Sequence, residues 1–281
     1  MASRVYGVRR RQKDFSAFCT RVHRLPSAKT ACGRMSQHKR IVANFKTHGR
    51  VDFFAHYLSV LSPLGPTPYT LILCPPAPYL SLFRDALPKD FLLGAQDISP
   101  HDNTTVVTGD VTPAMLVDMG VSHVLIGHSE RRTHHHESYT HLQQKINQAL
   151  HHDLTPILCV GEPYDVYQQG KTHDFLADEL RHILPATPHK PMGLAYEPLW
   201  AIGSGKTPTL QEIHGVTHFL QQCIHAHHQD TFVLYGGSVS SANAQSILAL
   251  PSIDGVLVGK ACLDPAFLMD FAQNTSFSSH I

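Results

Sequence analysis

Acidic residues are almost missing from the start of the chain. Within the first forty positions Asp14 stands alone against eleven basic residues: Arg4, Arg9, Arg10, Arg11, Lys13, Arg21, Arg24, Lys29, Arg34, Lys39 and Arg40. With 23 Lys and Arg and 22 Asp and Glu in the whole chain, twelve bases and twenty-one acids remain beyond residue 40. The body is therefore acidic, which argues against a nucleic-acid partner despite the formal charge of +1. No apolar run reaches the length of about 18 residues that a membrane-spanning helix needs. None of the six cysteines (Cys19, Cys32, Cys74, Cys159, Cys223, Cys262) forms a C-x-x-C pair, and no apolar signal core opens the chain. The expectation is a reducing, cytoplasmic setting with free and mostly buried thiols.

Histidine is plentiful, with 22 residues including His134-His135-His136, His151-His152 and His227-His228. Neither ligand spacing nor a supporting shell accompanies these runs, so they read as solvated surface and no metal is expected. Residues 1–40 show no sustained periodicity and read as an irregular basic extension. Either translation truly starts at Met35 or the segment is a transit-like peptide for organelle import. The first reading is preferred, because a chain from Met35 has the length of about 250 residues natural to one α/β barrel.

From residue 41 to 281 the pattern is regular. Short β-branched runs at Ile41–Phe45, Tyr69–Cys74, Phe91–Gln96, His123–Gly127, Thr155–Val160, Met192–Glu197, Thr231–Tyr235 and Ile253–Val258 alternate with helical stretches such as Val51–Leu61 and His141–Leu150. Eight strand–helix units predict a parallel sheet closed into a single-domain (β/α)8 barrel, with its site at the C-terminal ends of the strands. An open doubly wound sheet would place a glycine-rich turn after its first strand, where this chain has Asn44-Phe45-Lys46. Gly203-Ser204-Gly205-Lys206-Thr207 imitates the end of a P-loop. That motif needs a glycine where Trp200 stands, so an ATPase is not expected.

The polar residues at the strand ends carry the chemistry. Asn44 and Lys46 follow the first strand, His128 and Glu130 the fourth, and Glu197 ends the sixth. Gly236-Gly237-Ser238 and Gly259-Lys260 follow the last two. Singly, such a lysine is a surface charge and such a histidine a helix cap. Together they offer a base, an acid, a cation and N–H-rich turns, which suits proton transfer on a small phosphorylated molecule.

Gly127-His128-Ser129-Glu130-Arg131-Arg132 and the run from Ala195-Tyr196-Glu197 to Gly203-Ser204-Gly205-Lys206 resemble the two signature segments of the triosephosphate isomerase family. Asn44-Phe45-Lys46, Gly94-Ala95-Gln96, Thr108-Gly109-Asp110, Cys159-Val160-Gly161-Glu162, Tyr235-Gly236-Gly237-Ser238 and the stretch Asp254 to Gly259 follow in the family's order, across about residues 41–270. The resemblance implies interconversion of dihydroxyacetone phosphate and glyceraldehyde 3-phosphate by a homodimer without a cofactor. It casts Glu197 as the base, His128 as the neutral electrophile and Lys46 as the substrate-binding cation, with Asn44 beside it. Glu130 packs against Lys46. Pro198–Lys206 is a lid, Ile202 and Leu257 are the apolar pair over the glutamate, and Gly203, Ser238, Gly259 and Lys260 supply N–H groups to the phosphate. A silent binding barrel would be expected to have lost Lys46, His128 or Glu197. A Schiff-base aldolase would not carry the rest of this set. Four departures stand out: Lys260 where glycine is frequent, Phe45 where tryptophan is commoner, Asp110 where glutamate is usual, and Thr47-His48 at the expected interface. If the turn at Lys260 required a positive φ, it would have to relax.

Overall fold

The computed structural model describes residues 39–102, 104–184, 190–201, 206–225 and 231–273. Residues 1–38, the candidate start at Met35 among them, lie outside this set, as do Ile202 and Gly203.

Eight parallel strands close into a barrel in sequential order. They are β1 (Lys39–Asn44), β2 (Tyr69–Cys74), β3 (Phe91–Ala95), β4 (Val121–Ile126), β5 (Thr155–Val160), β6 (Met192–Tyr196), β7 (Thr231–Tyr235) and β8 (Gly255–Val258). The described helices are α1 (Val51–Leu61), α2 (Leu80–Ala86), α3 (Pro113–Asp118), α4 (Ser129–His134), α5 (Tyr139–His151), α6 (Tyr164–Gln168), α7 (Thr172–Ile183), α8 (Leu210–His225), α9 (Ala244–Leu248) and α10 (Pro265–Gln273).

Strand period explains the two cores. Val42, Ile72, Leu125, Ile157, Phe232 and Leu257 fill the barrel interior. Their neighbours Ile41, Ala43, Leu71, Val124 and Val233 face outward beneath the helices. Both faces are dry, which is why the strands read as continuous apolar runs. The interior is packed with side chains and is no pore. Phe45, the smaller aromatic of the departures, is fully buried and meets Phe54, Tyr57 and Phe83 edge to face.

The strand boundaries differ from the sequence reading by up to two residues. β1 starts at Lys39 and stops at Asn44, because Lys46 takes a left-handed φ of 51° that no strand can continue through. β4 starts at Val121, directly after the left-handed turn at Gly120 (φ 75°). β8 is shorter than expected and starts at Gly255. Since all strands run in parallel, their C-terminal ends share one rim. The register places Asn44 beside Cys74 and Tyr196 beside Tyr235.

Candidate active site

Asn44 ends β1 and is buried, and its Oδ1 accepts the Lys46 backbone N–H at 2.9 Å. This short turn helps hold Lys46 in its left-handed backbone, a conformation that costs a non-glycine residue about 1–3 kcal/mol. The Lys46 Nζ consequently reaches across the rim to Glu130 Oε1 at 2.5 Å. Burial raises the Glu130 carboxyl, but the hydrogen bond and charge of Lys46 outweigh it and leave the group below its ordinary value. The Cε of Lys46 also runs close to Gly259, where an added Cβ would lie 3.3 Å from it.

His128 is the N-cap of α4, and its Nδ1 accepts the Glu130 backbone N–H at 3.3 Å. A nitrogen that accepts carries no proton, so this geometry selects the neutral ring with its hydrogen on Nε2. Nε2 lies 3.3 Å from Glu197 Oε1. Glu197 follows β6, is almost wholly buried, and accepts the Ser129 N–H on Oε2 at 3.2 Å. One helix start thus addresses both groups, through the cap on one side and a free N–H on the other.

Two glycines make room for Glu197. A Cβ on Gly161 would come within 1.7 Å of its carbonyl oxygen, and one on Gly236 within 3.0 Å of its Cγ. The Cys159 thiol lies beside it, pushed well above its ordinary range by burial first and then by the Glu197 charge. Cys74, Cys159, Cys223 and Cys262 are all buried, as expected of them.

Asn44, Lys46, His128, Glu197, Ser238, Leu257, Gly259 and Lys260 all line one cleft of 410 Å³ at the rim. Lys260 opens a short 3-10 turn and is not among the positive-φ residues, so the departure from glycine strains nothing there. A neighbouring cleft of 780 Å³ shares Asn44, Lys46 and His128, and is further lined by Thr47, His48, Asp110, Glu130, His134 and His135. Asp110 accepts the Ser99 hydroxyl at 2.6 Å.

Several supports escaped the sequence reading. Arg132 donates to the Gly127 and Cys159 carbonyls at 2.6 and 2.5 Å and pairs with the buried Glu179, locking the ends of β4 and β5 to α7. Lys145, itself buried, binds Asp97 and Glu137, and Arg131 pairs with the same two acids. Glu162 accepts from Tyr196 at 3.0 Å and from Trp200 at 2.8 Å. Arg131, Arg132 and Glu162 stand inside recognised motifs, but the spacing alone names none of their partners.

A buried carboxylate, an imidazole, a lysine and two glycine-rich turns meet on the C-terminal rim of a (β/α)8 barrel, an arrangement suited to acid/base chemistry on a small anionic molecule. The triosephosphate isomerase family model matches residues 39–275. Relatives carrying that name include one from Ralstonia nicotianae, 37% identical over 233 residues that cover 80% of this chain and 94% of the relative. Another, from Xanthomonas oryzae pv. oryzae, is 38% identical over 234 residues, 80% of this chain and 93% of its own. One from Alkalilimnicola ehrlichii is 35% identical over the same shares. The chain belongs to the triosephosphate isomerase family. That family consists of aldose–ketose isomerases.

Proposed function

We propose that this enzyme interconverts dihydroxyacetone phosphate and D-glyceraldehyde 3-phosphate with Glu197 as base, His128 as electrophile and Lys46 as the cation that steadies the enediolate. The pairing of Glu197 with a neutral His128 across 3.3 Å carries the reading. Substrate entering between them would receive the Nε2 hydrogen on its carbonyl oxygen. Glu197 would then face the adjacent carbon, take its proton and return it to the neighbouring carbon, while His128 gives its Nε2 proton to one substrate oxygen and recovers a proton from the other hydroxyl, so that both carbon and oxygen protons change places. The neutral ring is the established form in this family, and the Glu130 N–H directed at Nδ1 supports that form here. Lys46, held by Glu130, would offset the charge that develops on the oxygens.

The remaining roles follow the family resemblance. Asn44 orients the substrate, and backbone N–H groups of Gly203, Ser238, Gly259 and Lys260 bind the phosphate. Ile202 and Leu257 cover Glu197 when Pro198–Lys206 closes and excludes water. The substrate carbonyl is its own electron sink, so the reaction calls on neither cofactor nor metal.

We further infer a homodimer in which the arm containing Thr108-Gly109-Asp110 enters the 780 Å³ cleft of a second copy. The near-complete exposure of Val106, 97%, supports a contact there. The reaction belongs to glycolysis and, in reverse, to gluconeogenesis, and we assign the enzyme to the cytoplasm. Among the described residues no helix is long and apolar enough to cross a membrane. The family match starting at residue 39 supports a barrel that works without residues 1–34. A coupled assay of purified protein, free of host isomerase, tests the function. Turnover of glyceraldehyde 3-phosphate is expected, and an inert, folded protein would overturn the proposal.

A further inference from the structure

Tyr167 occupies a position that the chemistry above does not use. It lies on α6, a short helix outside the cleft, yet it touches both ends of the connection from β6 to α8. Its ring stacks on the Trp200 indole, with centroids 4.0 Å apart and planes inclined by 20°. Its hydroxyl donates to Glu212 Oε1 at 2.7 Å. The other oxygen of Glu212 accepts both the backbone N–H and the hydroxyl of Thr209 at 2.7 Å, and the Glu212 N–H returns to the Thr209 hydroxyl at 3.2 Å. This is a capping box at the start of α8. One tyrosine therefore joins Trp200, in the turn after β6, to Glu212 in the first turn of α8.

Trp200 is a consequential anchor. It stands three positions after Glu197, in a turn closed by the Ala201 N–H on the Pro198 carbonyl at 2.9 Å. Its Nε1–H donates to Glu162, which is fully buried and also holds the hydroxyl of Tyr196, the residue just before Glu197. A flat ring over the indole shields that hydrogen bond from water and limits how the turn can shift.

We propose that Tyr167 is a positioning residue that braces the two ends of the β6–α8 connection and, through Trp200 and Glu162, fixes the placement of Glu197. The proposal rests on the reading of Glu197 as the base. It acts on chemistry more than on binding, because misplacing a base by a fraction of an ångström slows proton transfer while phosphate contacts persist.

Trp200 is the only tryptophan of the chain, so its emission reports the brace directly. Full-length wild type, Tyr167→Phe and Tyr167→Ala would be compared at 25 °C, with folding checked by far-UV circular dichroism. Tyr167→Ala should red-shift the emission and lower kcat about tenfold, with KM changed by less than about threefold. Tyr167→Phe keeps the stack and loses only the Glu212 tie. It should keep the wild-type emission and lower kcat by an intermediate amount, about threefold, because the brace is then held at one end only. Should Tyr167→Ala fail to fold, Tyr167→Leu takes its place with the same expected directions. A folded Ala or Leu variant with unmoved emission, or with kcat within about twofold of wild type, would overturn the brace. A purely structural tyrosine would lower the melting temperature alone. If the wild type itself does not turn over triose phosphate, the proposed function fails, and the emission alone then decides whether the brace exists.

Discussion

His128 and Glu197 face each other across 3.3 Å although their elements lie on opposite sides of β5. The start of α4 brings them together. Its first N–H groups bind the imidazole Nδ1 through Glu130 and the carboxylate Oε2 through Ser129. We predict that His128→Gln, which keeps a donor but not a ring fixed by the Glu130 N–H, lowers kcat by about 10²-fold or more, in the range for losing a positioned acid–base group. Solvent exchange of the carbon-bound proton should fall less than turnover, because Glu197 remains. Equal losses in both measurements would contradict the separate roles.

Lys46 depends on Glu130 for its direction, since its backbone already sits in a left-handed conformation. Glu130→Gln should leave the fold intact, because the pair is partly solvated and such pairs contribute only about 0–1 kcal/mol. The loss should appear in kcat/KM, by about tenfold or 1.4 kcal/mol. Unchanged steady-state kinetics would show that Lys46 needs no guide.

Gly161 and Gly215 make opposite predictions. A Cβ at Gly161 meets the backbone carbonyl of Glu197 at 1.7 Å, and backbone cannot swing aside as a side chain can. Gly161→Ala should destabilise by about 1–3 kcal/mol or more and slow turnover as β6 shifts. Gly215 lies in α8 with nothing within 4 Å of an added Cβ. Gly215→Ala should stabilise by about 0.5–1 kcal/mol at unchanged kcat. Urea unfolding of both variants checks this, and a stabilising Gly161→Ala would refute the close approach.

His123, half-buried in β4, gives a pH dependence. Burial, and then the nearby Arg40 charge, push its pKa down from 6.5 to about 4. The unfolded chain therefore takes up this proton between pH 6.5 and 4 while the folded chain refuses it. Its contribution is fully present above pH 6.5 and declines as pH falls toward 4. Between pH 7 and 5 the loss from this group should be at most about 2 kcal/mol. His123→Gln should flatten this part of the stability profile, measured by urea unfolding across that range. An unchanged slope would contradict it.

Strands and rim residues were legible for a physical reason. Parallel strands dry on both faces leave apolar runs, and the polar residue ending each run lands on one rim once the sheet closes. The strand ends were less legible, because they depend on local φ values such as those of Gly120 and Lys46. Least legible were contacts between residues far apart in sequence. Gly161 reads as an ordinary loop glycine until β5 and β6 are paired, and Tyr167 reads as a surface aromatic until Trp200 is laid upon it. Lys260 shows the reverse. The sequence left open whether the turn there required a positive φ, and Lys260 is not among the positive-φ residues.

The most direct test of the central claim is the turnover of Glu197→Gln in a preparation free of host isomerase. Glutamine keeps the size of the side chain and much of its hydrogen bonding, including acceptance of the Ser129 N–H. It removes the basic oxygen. If Glu197 is the base, substrate still binds and kcat falls by at least about a hundredfold. Near-normal turnover by this variant would contradict the mechanism.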